Sequence, residues 1–435
     1  MSVRRASLLT ALIAGVISFE LQPKSYDGLK LYKIAPSSLE QLNTLQSLED
    51  MLPGVDVWSS GRSVYQPWKV LVPQELSVAF RSKMKQSGIA HKPTELDVGK
   101  LIREDLKGLN LFTGSKLASP EDFNLDEYHT HDQIHEFLDV VHAEYGEITE
   151  LGSLGASLEN RDMKYIKIGK QFGQTKLAVW IDAAIHAREW VAPASAVYII
   201  NEMTSKYGVD PVITELVDNI DVYVLPVLNI DGYNYTMTGN RLWRKTRSGP
   251  RCNEEGQCCR GVDPNRNFGY MFGGIGTSSN PCSLIYRGPE AYSEIEAANV
   301  ANFLNELGPE IVKAYLTFLL YPYGFGVGEY PPDYLELREL GMQVKAAVAA
   351  VHNTQYAVGS SADILYPSSG TSRDWAKGDG KFKWVYTVEL RPGPRDTDDI
   401  EHYGFMLPAK YIRRTAEEIF EGFKVIMRRV MTGPN

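Results

Sequence analysis

Three apolar runs, "KLAVWIDAAI", "NIDVYVLPVL" and "FKWVYTVEL", constrain this 435-residue chain more than any other feature. They are rich in β-branched and aromatic residues and lack the alternating polar positions of a strand with one wet face. Such runs read as strands covered on both sides. Between them lie segments with helical spacing, such as "VAPASAVYIINEMTSKYG" and "AYSEIEAANVANFLNELG". From about Phe123 onward this order implies an α/β sheet sandwiched by helices, with any chemistry on loops at one sheet edge. There is no internal repeat and no low-complexity tract.

The segment before that sheet reads differently. "LKLYKI" and "WKVLV" alternate as short strands, and Leu39, Leu42, Leu45, Leu48 and Leu52 fall on one helical stripe that stops at Pro53-Gly54. A second helix, "QELSVAFRSKMKQSG", ends at Gly88. The stretch "HKPTELDVGKLIREDLKGLNLFTGSKLASPEDF" reads as a connector, with Arg103, Lys107 and Lys116 as candidate protease sites. This small α+β module carries no catalytic signature, so it reads as scaffold or inhibitor.

Arg4 and Arg5 followed by an apolar run to Phe19 have the length and order of a secretory signal cut after Ser18. The run is short of the roughly 20 residues that a spanning helix needs. The chain therefore divides into a signal peptide at 1–18, a module with its connector at 19–116, and a main domain at 117–435, secreted and extracellular. A composition of 43% hydrophobic and 23% charged residues is that of an ordinary globular protein. A formal charge of −9 gives no footprint for nucleic acid or anionic membrane, so neither is expected as a partner. The four cysteines, Cys252, Cys258, Cys259 and Cys282, are clustered and even in number, which in a secreted chain favours disulfides. Three pairings are open on the sequence. Asn234-Tyr235-Thr236 is a glycosylation triplet of a kind that often arises by chance.

Chemistry gathers at strand ends. "IHAREW" follows the first apolar run and spaces His186 and Glu189 so that one turn can present a nitrogen and a carboxylate oxygen to a single metal ion. "NRLWRKTRS" and "GVDPNRNFG" place Arg241, Arg244 and Arg266 in segments flanking the first three cysteines. Arginine forks grip carboxylates in bidentate fashion, so several of them suit an anionic substrate group. "DILYPSSGTSRDW" offers Tyr366 on a Ser/Gly-rich loop. "YTVELRPG" sets Glu389 at the end of a hydrophobic strand, where burial would raise its pKa toward that of a general base.

These segments, in this order, resemble the secreted zymogens of the zinc carboxypeptidase A and B type over nearly the whole chain. The resemblance implies a mixed, twisted sheet sandwiched by helices, an activation propeptide, and one Zn²⁺ held by two histidines and a glutamate, the donor set known for carboxypeptidase A. It makes His186 and Glu189 the metal ligands and Asp263 the acceptor that orients the His186 imidazole. Glu389 becomes the base that activates water, and Arg244 the group that stabilises the oxyanion. Asn265, Arg266 and Tyr366 would hold the substrate's terminal carboxylate, with Arg188 and Arg241 along the approach. Arg373 falls at the base of the specificity pocket, which would favour acidic C-terminal residues. Cys259 would pair with Cys282, leaving Cys252 to pair with Cys258. The implied partners are peptide and protein C-termini and an activating protease, with the protein a monomer.

One part of the pattern is missing. The third ligand of the family is a histidine in a turn of about six residues, an ordinary loop length, ahead of a strand ending "YPYG". Here "KAYLTFLLYPYG" joins Phe318 straight to Leu319, and "AYLTFLLY" reads as one unbroken apolar run. The remaining histidines are His91, His129, His131, His135, His142, His352 and His402, none of which follows that strand. Losing a metal ligand should cost more than the roughly 10 to 100-fold lost with an outer partner. "RPGPRDTDDIEHYGF" adds an acidic insertion near the cleft. Two functions follow: a carboxypeptidase zymogen, or a peptide-binding relative with impaired zinc chemistry.

Overall fold

The computed structural model describes residues 25–61, 63–109, 116–170, 175–318, 320–387, 390 and 403–433. The signal-peptide reading of residues 1–18 lies outside the described residues, as do Glu389 and most of the acidic insertion.

In the first unit, period-two alternation divides two strands between two cores. Strand β1 (Lys30–Ile34) pairs antiparallel with β3 (Trp68–Val72), Tyr32 opposite Val70. Tyr32, Ile34, Trp68, Val70 and Val72 pack with Leu42, Leu45, Phe80 and Met84 of the covering helices. Leu31 and Leu71 point the other way and meet Leu242 and Met406 of the second unit. Alternation thus gives this sheet one private face and one docking face. Strands β2 (Asp56–Ser59) and β4 (His91–Pro93) complete the order β2-β3-β1-β4.

The leucine stripe forms helix Leu39–Gln46, capped where the Ser38 hydroxyl accepts the Gln41 amide, and a short helix Leu48–Met51. Leu42, Leu45 and Leu48 are buried, while Leu39, on the first turn, is 71% exposed. The stretch read as a connector is not merely that. It supplies β4 and helix Val98–Gly108, capped by Asp97 and buried through Val98 and Ile102. Its lysines and arginines lie on the wet face and hide the helical period from a compositional reading.

The second unit carries β5 (Thr149–Ala156), β6 (Asp162–Ile168), β7 (Ala178–Asp182) and β8 (Asp221–Leu225). A hairpin of β9 (Arg251–Cys252) and β10 (Cys258–Cys259) follows. The sheet is completed by β11 (Val312–Phe318), β12 (Leu320–Tyr321), β13 (Gly359–Ser360) and β14 (Trp384–Thr387). The eight strands run β13-β12-β14-β11-β7-β8-β6-β5. Pairings among β14, β11, β7 and β8 are parallel, whereas β5, β6 and the β12–β14 contact are antiparallel. This is the mixed, helix-covered sheet expected from the sequence.

Every residue of β7 and β8 is buried, as their unbroken apolar character requires. Phe303 of helix Ile295–Leu307 packs against the rings of Tyr165, Trp180 and Tyr223. Helix Ile412–Thr432 packs against Val191–Ser205 and against Tyr334–His352. At the latter crossing Gly422 lets the axes close: an added Cβ would lie 2.9 Å from both Val344 and Val348. The run "AYLTFLLY" is not one strand. It forms β11 and β12 on opposite sides of β14. A period count cannot see the third strand that separates them.

Candidate active site

Strand β7 ends at Asp182, and the chain turns through Ala184, which holds a positive φ of 53°, into the loop that carries His186 and Glu189. His186 Nδ1 lies 2.9 Å from Glu189 Oε1, and its Nε2 faces Asp263 Oδ1 at 3.3 Å. Asp263 precedes the turn Pro264–Arg266 and caps it, accepting the Asn265 amide at 2.9 Å. Its second oxygen takes two bonds from Arg244, at 2.8 and 3.2 Å, with Arg266 4.0 Å away. One buried carboxylate therefore faces three cationic or basic groups.

The charges respond accordingly. Burial would raise the Asp263 pKa, but Arg244, Arg266 and His186 hold it well below the ordinary carboxylate range. Burial and Arg244 both favour neutral His186, yet the neighbouring carboxylates Glu189 and Asp263 outweigh them and its pKa ends raised. Burial would also raise Glu189, which His186, Arg244 and Arg188 pull below its usual value.

The loops that carry Asn265, Arg266 and Arg373 are stitched together. Asn265 Oδ1 accepts the Ser372 amide and hydroxyl, at 3.0 and 3.3 Å, and Phe268 donates to the Gly370 carbonyl. Arg266 is anchored by bonds to the carbonyls of Gly276 and Asn265, each at 2.8 Å. Tyr366 stands 44% exposed on the same loop, close enough to Arg244 to act on its charge. Arg373 is buried, with Nε 3.3 Å from Asp374 Oδ1. Its buried Nη2 has no hydrogen-bond partner among the described residues, and it occupies the space that a side chain at position 324 would take. Disulfides Cys252–Cys258 and Cys259–Cys282 tie down the loops flanking Asp263.

Arg188 and Arg241, expected along the approach, are covered by the first unit. Asp56 takes two bonds from the Arg188 guanidinium, which stacks 3.9 Å over Phe405; the indole of Trp58 meets the edge of the same ring. Asp105 accepts from Arg241 Nε and Nη2, while the Arg241 amide donates to the Tyr26 hydroxyl. Arg241 also lies 3.6 Å over Trp190. Asp56, Trp58, Tyr26, Asp105 and Phe405 are site residues that the sequence reading missed. Nothing in their local patterns marks them, because each gains its role only from an arginine distant in sequence.

The first unit thus sets Asp56 of its sheet and Asp105 of its helix Val98–Gly108 on two arginines of the second. A profile of the zinc carboxypeptidase family matches residues 134–422, and one of the carboxypeptidase activation peptide matches residues 32–105. The chain belongs to the zinc carboxypeptidase family. It is 37% identical to carboxypeptidase A2 of Rattus norvegicus over 98% of this chain and 99% of that one. Carboxypeptidase B of Astacus astacus is 43% identical over 69% of this chain and 95% of its own length. Among solved structures, thrombin activatable fibrinolysis inhibitor superposes with a TM-score of 0.79 at 29% identity, covering 93% of this chain and 99% of that one. Carboxypeptidase A from Helicoverpa armigera gives 0.81 at 28%, covering 94% and 98%.

The family implies zinc, and a catalytic zinc takes three protein donors plus water. His186 and Glu189 face each other as two such donors would, with Asp263 behind the imidazole as the outer partner such a ligand uses. No third donor stands with them among the described residues. Among the described residues, no group of three or more His, Cys, Asp or Glu side chains is placed to hold a metal ion. Other histidines are engaged elsewhere: His129 on the Asn124 carbonyl, His142 on Thr149, His352 on Glu417. The donors among the described residues do not fit a catalytic zinc site. The Asn234 triplet lies within helix Ile230–Thr238, where the buried Thr236 hydroxyl accepts the Trp190 indole at 2.8 Å.

Proposed function

We propose that this chain is a secreted precursor whose mature domain captures the free C-termini of peptides, prefers acidic terminal side chains, and hydrolyses them poorly or not at all. The signal is residues 1–18, the inhibitory unit with its connector 19–116, and the mature domain 117–435. The observation that carries capture is the convergence of Arg244, Asn265 and Arg266 beside Asp263, with Arg188 and Arg241 held by Asp56 and Asp105 of the first unit. Asn265, Arg266 and Tyr366 would hold a peptide's terminal carboxylate, Arg266 with its guanidinium fork. Arg373 supports the acidic preference, since its unpartnered Nη2 is a buried donor that a carboxylate side chain would satisfy.

Chemistry stops short of a full cycle. Arg244 is aimed to stabilise an oxyanion, and Glu389 is the proposed base, but no step can be routed through a two-donor metal site. A second reading, an active zinc carboxypeptidase, is favoured by one observation. His186, Glu189, Asp263 and Arg244 keep mutual contacts that an unused site has no reason to keep. After proteolytic removal of the first unit, fluorescence anisotropy with labelled peptides ending in Glu, Phe or Lys should show tightest binding for Glu. Blocking that carboxylate as an amide should abolish binding. No binding to any free C-terminus would sink the capture reading. Chelator-sensitive release of terminal residues at family-like rates would establish the second.

A further inference from the structure

The three basic residues read as candidate protease sites stand differently in the fold. Arg103 and Lys107 lie within helix Val98–Gly108, where Arg103 also pairs with Asp27 at 3.4 Å. A protease needs its target backbone extended, so a cut at either one first requires that helix to unwind. Lys116 is exposed and lies outside the helices and strands. The residues after it are already fixed to the second unit. Leu117 packs against the main core, and the amides of Ala118 and Ser119 donate to Asp122 Oδ2 at 3.1 and 3.0 Å. The Leu117 amide donates to Glu136 Oε1 at 2.9 Å, on helix His131–Glu144. Glu136 is half-buried, and among the described residues no side-chain cation pairs with it.

We infer that the bond between Lys116 and Leu117 is the processing cut, made by a protease specific for basic residues, and that Glu136 is the receptor for the N-terminus so created. Water adds its oxygen to the Lys116 carbonyl carbon and the C–N bond breaks. Lys116 ends as a carboxylate, and Leu117 keeps the proton as an ammonium group. A neutral donor 2.9 Å from Glu136 thereby becomes a charged one in the same place. Bonds assisted by charge are roughly twice as strong as neutral ones, and an α-amino group is largely protonated at neutral pH. The anchored stretch runs on to Tyr128, whose ring meets Trp190 edge-on at 5.6 Å, and Trp190 lies against Arg241. A cut at Arg103 would instead leave Asp105 on the mature chain, still holding Arg241. The inference rests on the precursor reading above, in which the mature domain begins at 117.

The test uses the full-length precursor and trypsin. Limited digestion should give Leu117 as the first new N-terminus, and K116Q should abolish it. On the cut chain, with both fragments retained, an aminopeptidase can remove Leu117 and Ala118 only when the N-terminus leaves Glu136. Mass spectrometry should show that removal at least about 10-fold faster in E136Q than in the unaltered chain, the scale of one bond to a charged group. Before cutting, the two chains should melt alike, because glutamine still accepts the Leu117 amide. A merely structural role for Glu136 predicts no difference that appears only after the cut. A first cut after Arg103 or Lys107 would overturn the inference, as would equal trimming of E136Q and the unaltered chain. If E136Q does not fold, the cut unaltered chain still decides: it should be trimmed at least about 10-fold more slowly than a synthetic peptide of residues 117–122, and equal rates would overturn the inference. Peptide capture is read separately by anisotropy, so its failure would count against the function and not against this anchor.

Discussion

Asp263 is the residue on which the site's electrostatics turn. It is fully buried, and Arg244, Arg266 and His186 all face it. Removing it strands the buried Arg266 and the largely covered Arg244, so D263A should cost about 3 to 5 kcal/mol in denaturant unfolding. Because its pKa is held well below that of an unfolded aspartate, its stabilisation is complete above the unfolded value and fades as pH falls through the folded one. The variant should lose that acid limb, and an unchanged acid profile would contradict the assignment. Arg373 makes a separate prediction. R373I should weaken binding of Glu-terminated peptides about 30-fold or more, since losing one partner of a buried charge pair costs about 2 kcal/mol or more. It should spare Phe-terminated ones. Both residues were legible from motif and position; that Arg373 keeps one nitrogen unpartnered was not, since this depends on how Asp374 and Gly324 pack around it.

At the scale of elements, the first unit docks through one face of its sheet and two acidic anchors. Asp56 holds Arg188 and Asp105 holds Arg241, both arginines stacked on aromatic rings. After the connector is cut, the two fragments should stay together on a sizing column. D56A and D105A should each weaken that association about 30-fold or more, and cutting should release the first unit in the double variant. Retention equal to the unaltered chain would show that apolar contacts among Leu31, Leu71, Leu242 and Met406 suffice. The strands of this unit were readable from alternation, because period two is a local property. Its anchoring helix was not, since lysine and arginine on the wet face of Val98–Gly108 disguise a buried stripe of only a few residues.

For the whole molecule, buried carboxyls set the pH response. Burial raises Asp182 from 3.8 to about 7 and Glu296 from 4.5 to about 7. Between those limits the folded chain holds more protons than the unfolded one, so these groups lower stability as pH rises from about 4 to 7. Asp263 and Glu189 act oppositely below that window. Thermal unfolding should be hardest on the mildly acid side of neutrality, and D182N should flatten the fall toward pH 7. A melting temperature that rises steadily from pH 5 to 8 would contradict this balance.

What the chain determined by itself is local or pairwise in sequence: covered strands from unbroken apolar runs, helices from their spacing, a two-donor turn from "IHAREW". Tertiary structure alone decided which arginines the first unit's acids cover, and that β11 and β12 lie on either side of β14. Those facts depend on segments far apart in sequence meeting in space. Burial and pairing are properties of the meeting rather than of either segment.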